Sequence, residues 1–171
     1  MNHMTIAYIG LGSNIGSSKK VLDAVLKVFA NHENFCMPIV SSYYQTSPVS
    51  KIDQDDFLNA VVKVDTSFTS GELLKFLLAL EKAVGRKRDP EKPDGPRIID
   101  CDLLLYGREE SNTIDLTVPH PRMTDRLFVM EPLLEIAPKA FIPGYGYAKD
   151  VFEELDGQNH YDSQTVSKLD T

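Results

Sequence analysis

The sequence has little cysteine, fewer basic than acidic residues and no long apolar run, and each shortage excludes a class of protein. Its two cysteines, Cys36 and Cys101, are too few for a disulfide framework and lack the spacing of metal ligands. Lys and Arg number 18 against 25 Asp and Glu, and the net charge of −7 argues against a nonspecific binder of nucleic acid or of an anionic membrane. No apolar run approaches the roughly 18 residues of a membrane span, and the first residues lack the pattern of a secretory leader. These shortages favour a protein of the reducing cytoplasm that binds neither nucleic acid nor membranes.

The rest of the composition is that of a globular protein. Hydrophobic residues make up 42% of the chain and charged residues 25%, and a length of 171 residues suits one domain with its own core. We therefore expect residues 1–171 to form a single domain. The polar stretch after Asp156, at about 157–171, predicts a tail that is only loosely held.

Hydrophobic periodicity predicts the element order β-α-β-β-α-β. The strands are expected at residues 5–11, 39–46, 57–66 and 98–106, and the helices after Ser17 or Ser18 and after the capping box of Thr69 and Glu72, with Gly85 ending the second helix. This order is that of the α+β ferredoxin-like arrangement, in which helices cover one face of an antiparallel sheet and the other face is free to host a site. A C-terminal helix is predicted at residues 126–137, interrupted near Pro132.

The glycine-rich stretch GLGSNIG, residues 10–16, does not match the common phosphate-binding loops. Its spacing is G-x-G-x-x-x-G, whereas a dinucleotide-binding turn has G-x-G-x-x-G, and a P-loop requires a Gly-Lys-Ser or Gly-Lys-Thr that is missing here. We interpret it as a tight turn between the first strand and the first helix.

Two aspartates stand in the otherwise apolar strand GPRIIDCDLLLYG, residues 95–107. Because strand side chains alternate between faces, Asp100 and Asp102 point the same way, with Cα atoms roughly 6.6 Å apart. Two bare charges at that distance repel by about 2.5 kcal/mol at an effective dielectric constant of ~20, so a cation is expected between them. Carboxylate oxygens favour Mg²⁺, which binds through one or two carboxylates plus substrate phosphates. A solvated polar face is the alternative interpretation.

Basic residues cluster around this strand in a chain that is acidic overall. They are Arg86, Arg88, Arg97, Arg122 and Arg126, with His120 beside them. Each arginine alone is an ordinary surface charge, but guanidinium groups bind phosphate oxygens in pairs, and with a divalent metal they are typical of phosphoryl transfer. The cluster therefore indicates a phosphate-bearing substrate.

An aromatic surface is available close to the same strands. Phe57 opens a predicted strand, Asn59 lies on the same face of that strand, and Phe128 lies in the C-terminal helix. Both phenylalanines could simply belong to the core. Alternatively, the two rings and the amide could hold a flat heterocycle.

Six segments together resemble the 6-hydroxymethyl-7,8-dihydropterin pyrophosphokinase family, over residues 7–138. They are YIGLGSNIG (8–16), SSYYQTSPV (41–49), DFLNAVVKVDT (56–66), LEKAVGRKR (80–88), GPRIIDCDLLLYG (95–107) and LTVPHPRMTDRLFVMEPLLEIAP (116–138). The resemblance implies transfer of diphosphate from ATP to the hydroxymethyl group of the reduced pterin, with release of AMP. It also implies that Asp100 and Asp102 bind two Mg²⁺ ions.

The resemblance implies a role for each matching side chain. Arg86 and Arg97, with the two aspartates, would act in catalysis. The ATP contacts would come from Glu81, Arg88, Ile98, Leu103, Thr117, His120 and Arg126, with Arg88 on a mobile loop. The pterin contacts would come from Thr46, Ser47, Val49, Phe57, Asn59 and Phe128, with the ring between the two phenylalanines. The protein is expected to act on these small molecules as a monomer.

The chain departs from other members of the family at three positions, and two rival functions are open. Asp94, Asp115 and Pro121 stand where some members have tryptophan, arginine and tyrosine. One rival is a Mg²⁺-dependent phosphotransferase or nucleotidyltransferase with another acceptor, which would form ADP if it were a simple kinase. The other is a non-catalytic RNA-binding module, which the acidic charge and the lack of an RNP-type aromatic motif disfavour.

Overall fold

The computed structural model describes residues 3–86 and 90–170. Arg88, which the sequence assigns to ATP, lies outside the described residues. The main strands are β1 (Thr5–Ser13), β2 (Phe35–Val40), β3 (Tyr44–Thr46), β4 (Phe57–Thr66), β5 (Asp100–Tyr106) and β10 (Val166–Lys168). The helices are α1 (Ser18–Asn31), α2 (Ser70–Val84), α3 (Leu127–Ile136) and α4 (Ala148–Gly157). Short strands form two small hairpins, β6 (Ser111–Asn112) with β7 (Thr117–Val118) and β8 (Phe141–Ile142) with β9 (Gly146–Tyr147).

The large sheet has the strand order β10-β3-β4-β1-β5, and all its neighbouring strands are antiparallel. Strand β2 also pairs with β4, beside β3. The single strand predicted at 39–46 is therefore wrong in extent, because β2 and β3 are separate. The break comes at Ser41, where the Val61 N–H donates to the Ser41 hydroxyl instead of to a backbone carbonyl.

Helices α1 and α2 seal the first face of the sheet. Apolar side chains of β1, β4 and β5 pack there against Leu22, Phe29, Leu73 and Leu77 of the two helices, and Cys101 lies among them. The capping box of Thr69 and Glu72 is confirmed, and so is the left-handed Gly85 at the end of α2. Ser17 occupies the cap position of α1 without a side-chain cap hydrogen bond.

The second face of the sheet is partly covered, so the prediction that it is free is wrong where α3 packs on it. Met130 and Leu133 of α3 pack on Val61 and Leu104, and α4 lies behind α3. Helix α3 runs through Pro132 without the predicted interruption. Burial of Met130 and Leu133 compensates for the backbone hydrogen bond that proline cannot donate.

The C-terminal residues are held in place, which corrects the prediction of a loose tail. Strand β10 pairs with β3, and the buried Tyr161 hydroxyl donates to the Thr124 carbonyl at 2.6 Å. The polar composition of the tail misled the sequence prediction, because its contacts are hydrogen bonds rather than apolar packing. Among the described residues, no helix has the length and apolar character needed to cross a membrane.

Candidate active site

Two glycines of β1 form the floor of a cavity on the second face, where α3 does not cover the sheet. Gly10 pairs with Asp102 and Val61, and Gly12 pairs with Asp100 and Asn59. A Cβ on Gly12 would lie 2.6 Å from the Asn59 Oδ1 atom, so a larger residue would displace that amide. The predicted turn between β1 and α1 therefore begins only after Ser13, and the first two glycines belong to the strand.

The cavity has a volume of about 300 Å³ and brings together residues that the sequence had assigned to metal, phosphate and pterin. Its walls come from β1, β3, β4, β5, the start of α3 and the loops after α2 and β3. The predicted site residues that line it are Thr46, Ser47, Val49, Phe57, Asn59, Arg86, Arg97, Asp100, Asp102, His120, Arg126 and Phe128.

Asp100 lies between two arginines. The Arg86 Nη1 atom donates to Asp100 Oδ1 at 2.8 Å, and the Arg97 Nη1 atom donates to Asp100 Oδ2 at 3.0 Å. Arg86 also pairs with the buried carboxylate of Glu81 on α2. Although burial opposes the charge of Arg86, Asp100 and Glu81 raise its pKa. This guanidinium group is therefore fixed and permanently charged at the edge of the cavity.

The charge of Asp102 is compensated less closely than that of Asp100. Arg126 Nη1 lies 3.5 Å from Asp102 Oδ2, and His120 Nε2 lies 4.0 Å from the same oxygen. Burial, with the nearby charge of Asp100, raises the pKa of Asp102 to about 7. Burial, with Arg126 and Arg122, lowers the pKa of His120 to about 4, so its imidazole is neutral near pH 7.

The two aspartates fit a magnesium ion that is completed by substrate. Their side chains are 22% and 29% exposed and lie side by side at the cavity. Within residues 3–86 and 90–170, no group of three or more acidic, histidine or cysteine side chains could hold a metal. Because Mg²⁺ usually binds through one or two carboxylates plus water and phosphate oxygens, this donor set suits it when a polyphosphate is present.

The other half of the cavity is aromatic. Phe57 and Phe128 are half-buried and line it, so the two rings are not simply core residues. The Arg97 guanidinium lies 5.3 Å from the ring centre of Phe57, and that of Arg126 lies 5.6 Å from the ring centre of Phe128. The Asn59 Nδ2 atom donates to Thr46 Oγ1 at 2.6 Å, which fixes the amide at the base.

A smaller cavity of about 240 Å³ adjoins the first and shares Asp100, Asp102 and His120 with it. The predicted ATP residues Glu81, Leu103 and Thr117 line this second cavity. Asp115 and Pro121, where the chain departs from other family members, line it too, whereas Asp94 lines the larger one. Ile98 is half-buried and is not among the described residues that line either cavity.

Sequence reasoning gave no role to Asn14. Its side chain accepts from the Arg97 N–H at 2.8 Å and donates to the Gln54 Oε1 atom at 2.9 Å. The Gln54 amide in turn donates to the Asp94 carbonyl at 3.0 Å. Asn14 thus joins the loop after β3 to the segment before β5. Its position directly after the Gly-Ser that ends β1 was the sequence signal that could have pointed to it.

Arg122 also lines the larger cavity, although the sequence placed it only in the basic cluster without a specific role. It is exposed, and its backbone N–H donates to His120 Nδ1 at 3.2 Å. The guanidinium group is therefore available to an anion beside the neutral imidazole.

Comparisons with known proteins agree with this geometry. A family model described as 7,8-dihydro-6-hydroxymethylpterin-pyrophosphokinase matches residues 8–138. The 2-amino-4-hydroxy-6-hydroxymethyldihydropteridine pyrophosphokinase of Bacillus subtilis is 45% identical over 131 residues, covering 77% of each chain. The protein of the same name from Methylorubrum extorquens is 42% identical over 141 residues, covering 82% of this chain and 88% of that protein.

Solved structures are similar in fold. A Plasmodium falciparum HPPK-DHPS variant with pterin and p-hydroxybenzoate matches 98% of this chain with a TM-score of 0.68 at 13% identity. The match covers 49% of that chain, so the present chain spans about half the length of the solved protein. The likeness extends to the C-terminal segment, which the family model does not match.

Proposed function

The chain belongs to the 7,8-dihydro-6-hydroxymethylpterin-pyrophosphokinase family of folate biosynthesis, and we propose that the cavity over Gly10 and Gly12 is where it transfers diphosphate from ATP to the hydroxymethyl group of the reduced pterin. One observation carries this assignment of the site. Asp100 and Asp102, the arginine cluster and the two phenylalanine rings all line one cavity. A diphosphate transfer needs these three environments next to one another.

The reaction exchanges one P–O bond for another. The pterin hydroxyl oxygen attacks the β-phosphorus of ATP, the bond from that phosphorus to the α,β-bridging oxygen breaks, AMP leaves, and the hydroxyl proton is released to water. Two Mg²⁺ ions held by Asp100 and Asp102 would supply neutralisation of the phosphate charge and orientation of the hydroxyl. The placement of the two carboxylates side by side at the cavity supports a cation there, because a cation would relieve their repulsion.

Basic side chains hold the polyphosphate in this proposal. Arg86, Arg97, His120 and Arg126 surround the aspartates, and Arg88 is assigned by resemblance alone. Because Arg86 and Arg97 both contact Asp100, binding of ATP with its metal would let each guanidinium exchange that carboxylate for phosphate oxygens. The neutral His120 would donate or accept a hydrogen bond without adding charge.

The remaining residues position the two ends of the substrates. Phe57 and Phe128 would stack on the two faces of the pterin, while Asn59 and the backbone near Thr46, Ser47 and Val49 would bind its polar edge. The smaller cavity, with Glu81, Leu103 and Thr117, would hold the adenosine, and Ile98 is assigned to that side by resemblance.

The proposal also covers the fold class, the domain organisation, the oligomeric state and the location of the protein. The βαββαβ part is ferredoxin-like, which the order β3-β4-β1-β5 supports. Residues 1–171 form one pyrophosphokinase domain, since β10 joins the sheet that β1 begins. The enzyme acts as a monomer in this proposal, and its two free cysteines suit the reducing cytoplasm.

The test is to incubate the protein with ATP, Mg²⁺ and 6-hydroxymethyl-7,8-dihydropterin and to separate the nucleotides by chromatography. We expect AMP that requires the pterin and disappears with EDTA. Pterin-dependent ADP would instead indicate a simple kinase on this fold. Absence of turnover with pterin, but turnover with another hydroxyl compound, would point to a different acceptor.

A further inference from the structure

The start of α3, which carries Phe128, has no cap of its own. Arg126 occupies the cap position and makes no side-chain cap hydrogen bond. The missing partner comes from the C-terminal segment, because the Leu127 N–H donates to the Gln164 Oε1 atom at 2.9 Å. The other end of the same amide donates to the Asp125 carbonyl at 2.7 Å. Gln164 therefore binds the backbone on both sides of Arg126.

The next residue along the chain binds the opposite wall of the cavity. The Ser47 N–H donates to the Thr165 carbonyl at 3.1 Å, and the Thr165 N–H donates to the Ser47 hydroxyl at 3.3 Å. Val166 then pairs with Thr46 in the sheet. Gln164 and Thr165, which are consecutive, thus join the backbone at the start of α3 to the backbone at the end of β3.

Tyr161 anchors this connection. Its ring is buried, and its hydroxyl donates to the Thr124 carbonyl just before α3. Residues 161–168, which we name the C-terminal brace, lie outside the segment that the family model matches. They do not line the cavity but fix two of the segments that do.

We propose that Gln164 is a positioning residue for the pterin, and that the C-terminal brace sets the spacing between Phe128 and the wall of β3 and β4, where Thr46 pairs with Phe57. The inference rests on the proposed function, because it assumes that the pterin ring binds between Phe128 and that wall. A flat ring stacked between side chains on separate elements depends on their spacing, and displacement by about 1 Å is costly. Of the arginine and aspartate half of the cavity, only Arg126 is held by the brace. The rest of that half lies on β5 and on the segments after α2 and β7, so ATP binding depends less on the brace.

The experiment compares ligand binding to wild type, Gln164→Ala and Gln164→Glu. Calorimetry measures the Kd of α,β-methylene-ATP with Mg²⁺, and then that of the pterin with the analogue at saturation. Gln158→Ala is the matched control, because this glutamine is exposed on the same C-terminal stretch before the brace begins. Thermal unfolding is recorded for each variant.

We expect Gln164→Ala to raise the pterin Kd about tenfold while the Kd of the ATP analogue changes less than about twofold. Gln164→Glu keeps the acceptor for the Leu127 N–H and loses the donor to the Asp125 carbonyl, so a smaller rise is expected. Gln158→Ala should match wild type. A folded Gln164→Glu keeps the test decisive if the alanine variant unfolds.

Two results would overturn the inference. One is unchanged pterin binding in both Gln164 variants, and the other is an equal loss of both ligands. If wild type binds the ATP analogue but no pterin, the proposed function fails and the inference falls with it. Wild-type pterin binding that is insensitive to Gln164 would overturn the inference alone.

Discussion

The two faces of the large sheet use the same strands for different purposes. On β5, Asp100 and Asp102 line the larger cavity, while Cys101 and Leu103 join the core under α1 and α2 and also border the smaller cavity. On β1, Gly10 and Gly12 form the cavity floor, while Ile9 and Leu11 are buried in that core. The first face is apolar and sealed, whereas the second is shared between α3 and the site. Strand alternation therefore separates the residues that form the first core from those that line the larger cavity, although they are neighbours in sequence.

The sharpest test of this separation is Asp102→Asn. We expect turnover to fall by roughly three orders of magnitude because a magnesium ligand is lost. Thermal stability should not fall, because burial and Asp100 already disfavour the charge of Asp102. Steady-state assays and thermal unfolding check both parts, with the exposed Asp150→Asn as control. Unchanged turnover would remove Asp102 from the metal site.

The opposite pattern is expected for Phe29→Ala on the sealed side. Phe29 is fully buried in the first core, so truncation should lower the free energy of unfolding by about 3–5 kcal/mol. Turnover per folded molecule should stay near the wild-type value, because Phe29 lies in the first core and is not among the described residues that line either cavity. Urea unfolding and assays at low temperature measure the two quantities. A selective loss of turnover would contradict the separation of the faces.

Gly12→Ala should affect binding more than folding. The added Cβ would approach the Asn59 amide, so Asn59 must move away from Thr46. We expect the KM for the pterin to rise by about a hundredfold, with a much smaller change for ATP. Gly71→Ala is the matched control, because an added Cβ meets nothing within 4 Å there. Equal changes in both KM values would mean that the floor serves both substrates alike.

The smallest effect is expected at Glu135 of α3, which contacts Ser42 and Tyr44 of the large sheet and its neighbouring loop. Partial burial opposes the ionisation of Glu135, but hydrogen bonds from the Tyr44 hydroxyl and the Ser42 N–H hold its pKa below the ordinary value. This stabilisation is present above the unfolded pKa and is lost as the pH falls through the folded one. Glu135→Gln should therefore cost about 1 kcal/mol at pH 7, and the cost should shrink as the pH falls below the ordinary pKa of glutamate. Urea unfolding at neutral and at acidic pH checks it, and a difference that is constant with pH would contradict it.

The parts that could be predicted depended on local rules. The common orientation of Asp100 and Asp102 follows from strand alternation, and the helix start at Thr69 follows from its capping box. The break at Ser41 could not be found in this way. It depends on the Ser41 hydroxyl, which accepts in place of a backbone carbonyl from the Val61 N–H of β4, a strand distant in sequence.

The C-terminal segment was missed for a related reason. Its hydrogen bonds to Ser47, Asp125 and Leu127 join residues far apart in sequence, and a polar composition does not distinguish such contacts from solvation. Likewise, no local pattern predicts that α3 continues through Pro132 and packs on the second face of the sheet.

The thiol of Cys101 shows what the alternation achieves for chemical selectivity. It stands between the two aspartates in sequence, yet it is buried on the other face, where burial raises its pKa. Because its pKa is raised, the sulfur stays a neutral thiol although it borders the smaller cavity, and a thiol binds zinc and copper and reacts with peroxides less readily than a thiolate. The proposed magnesium site thus has oxygen ligands only, with a sulfur atom one residue away in sequence but on the other face of the sheet.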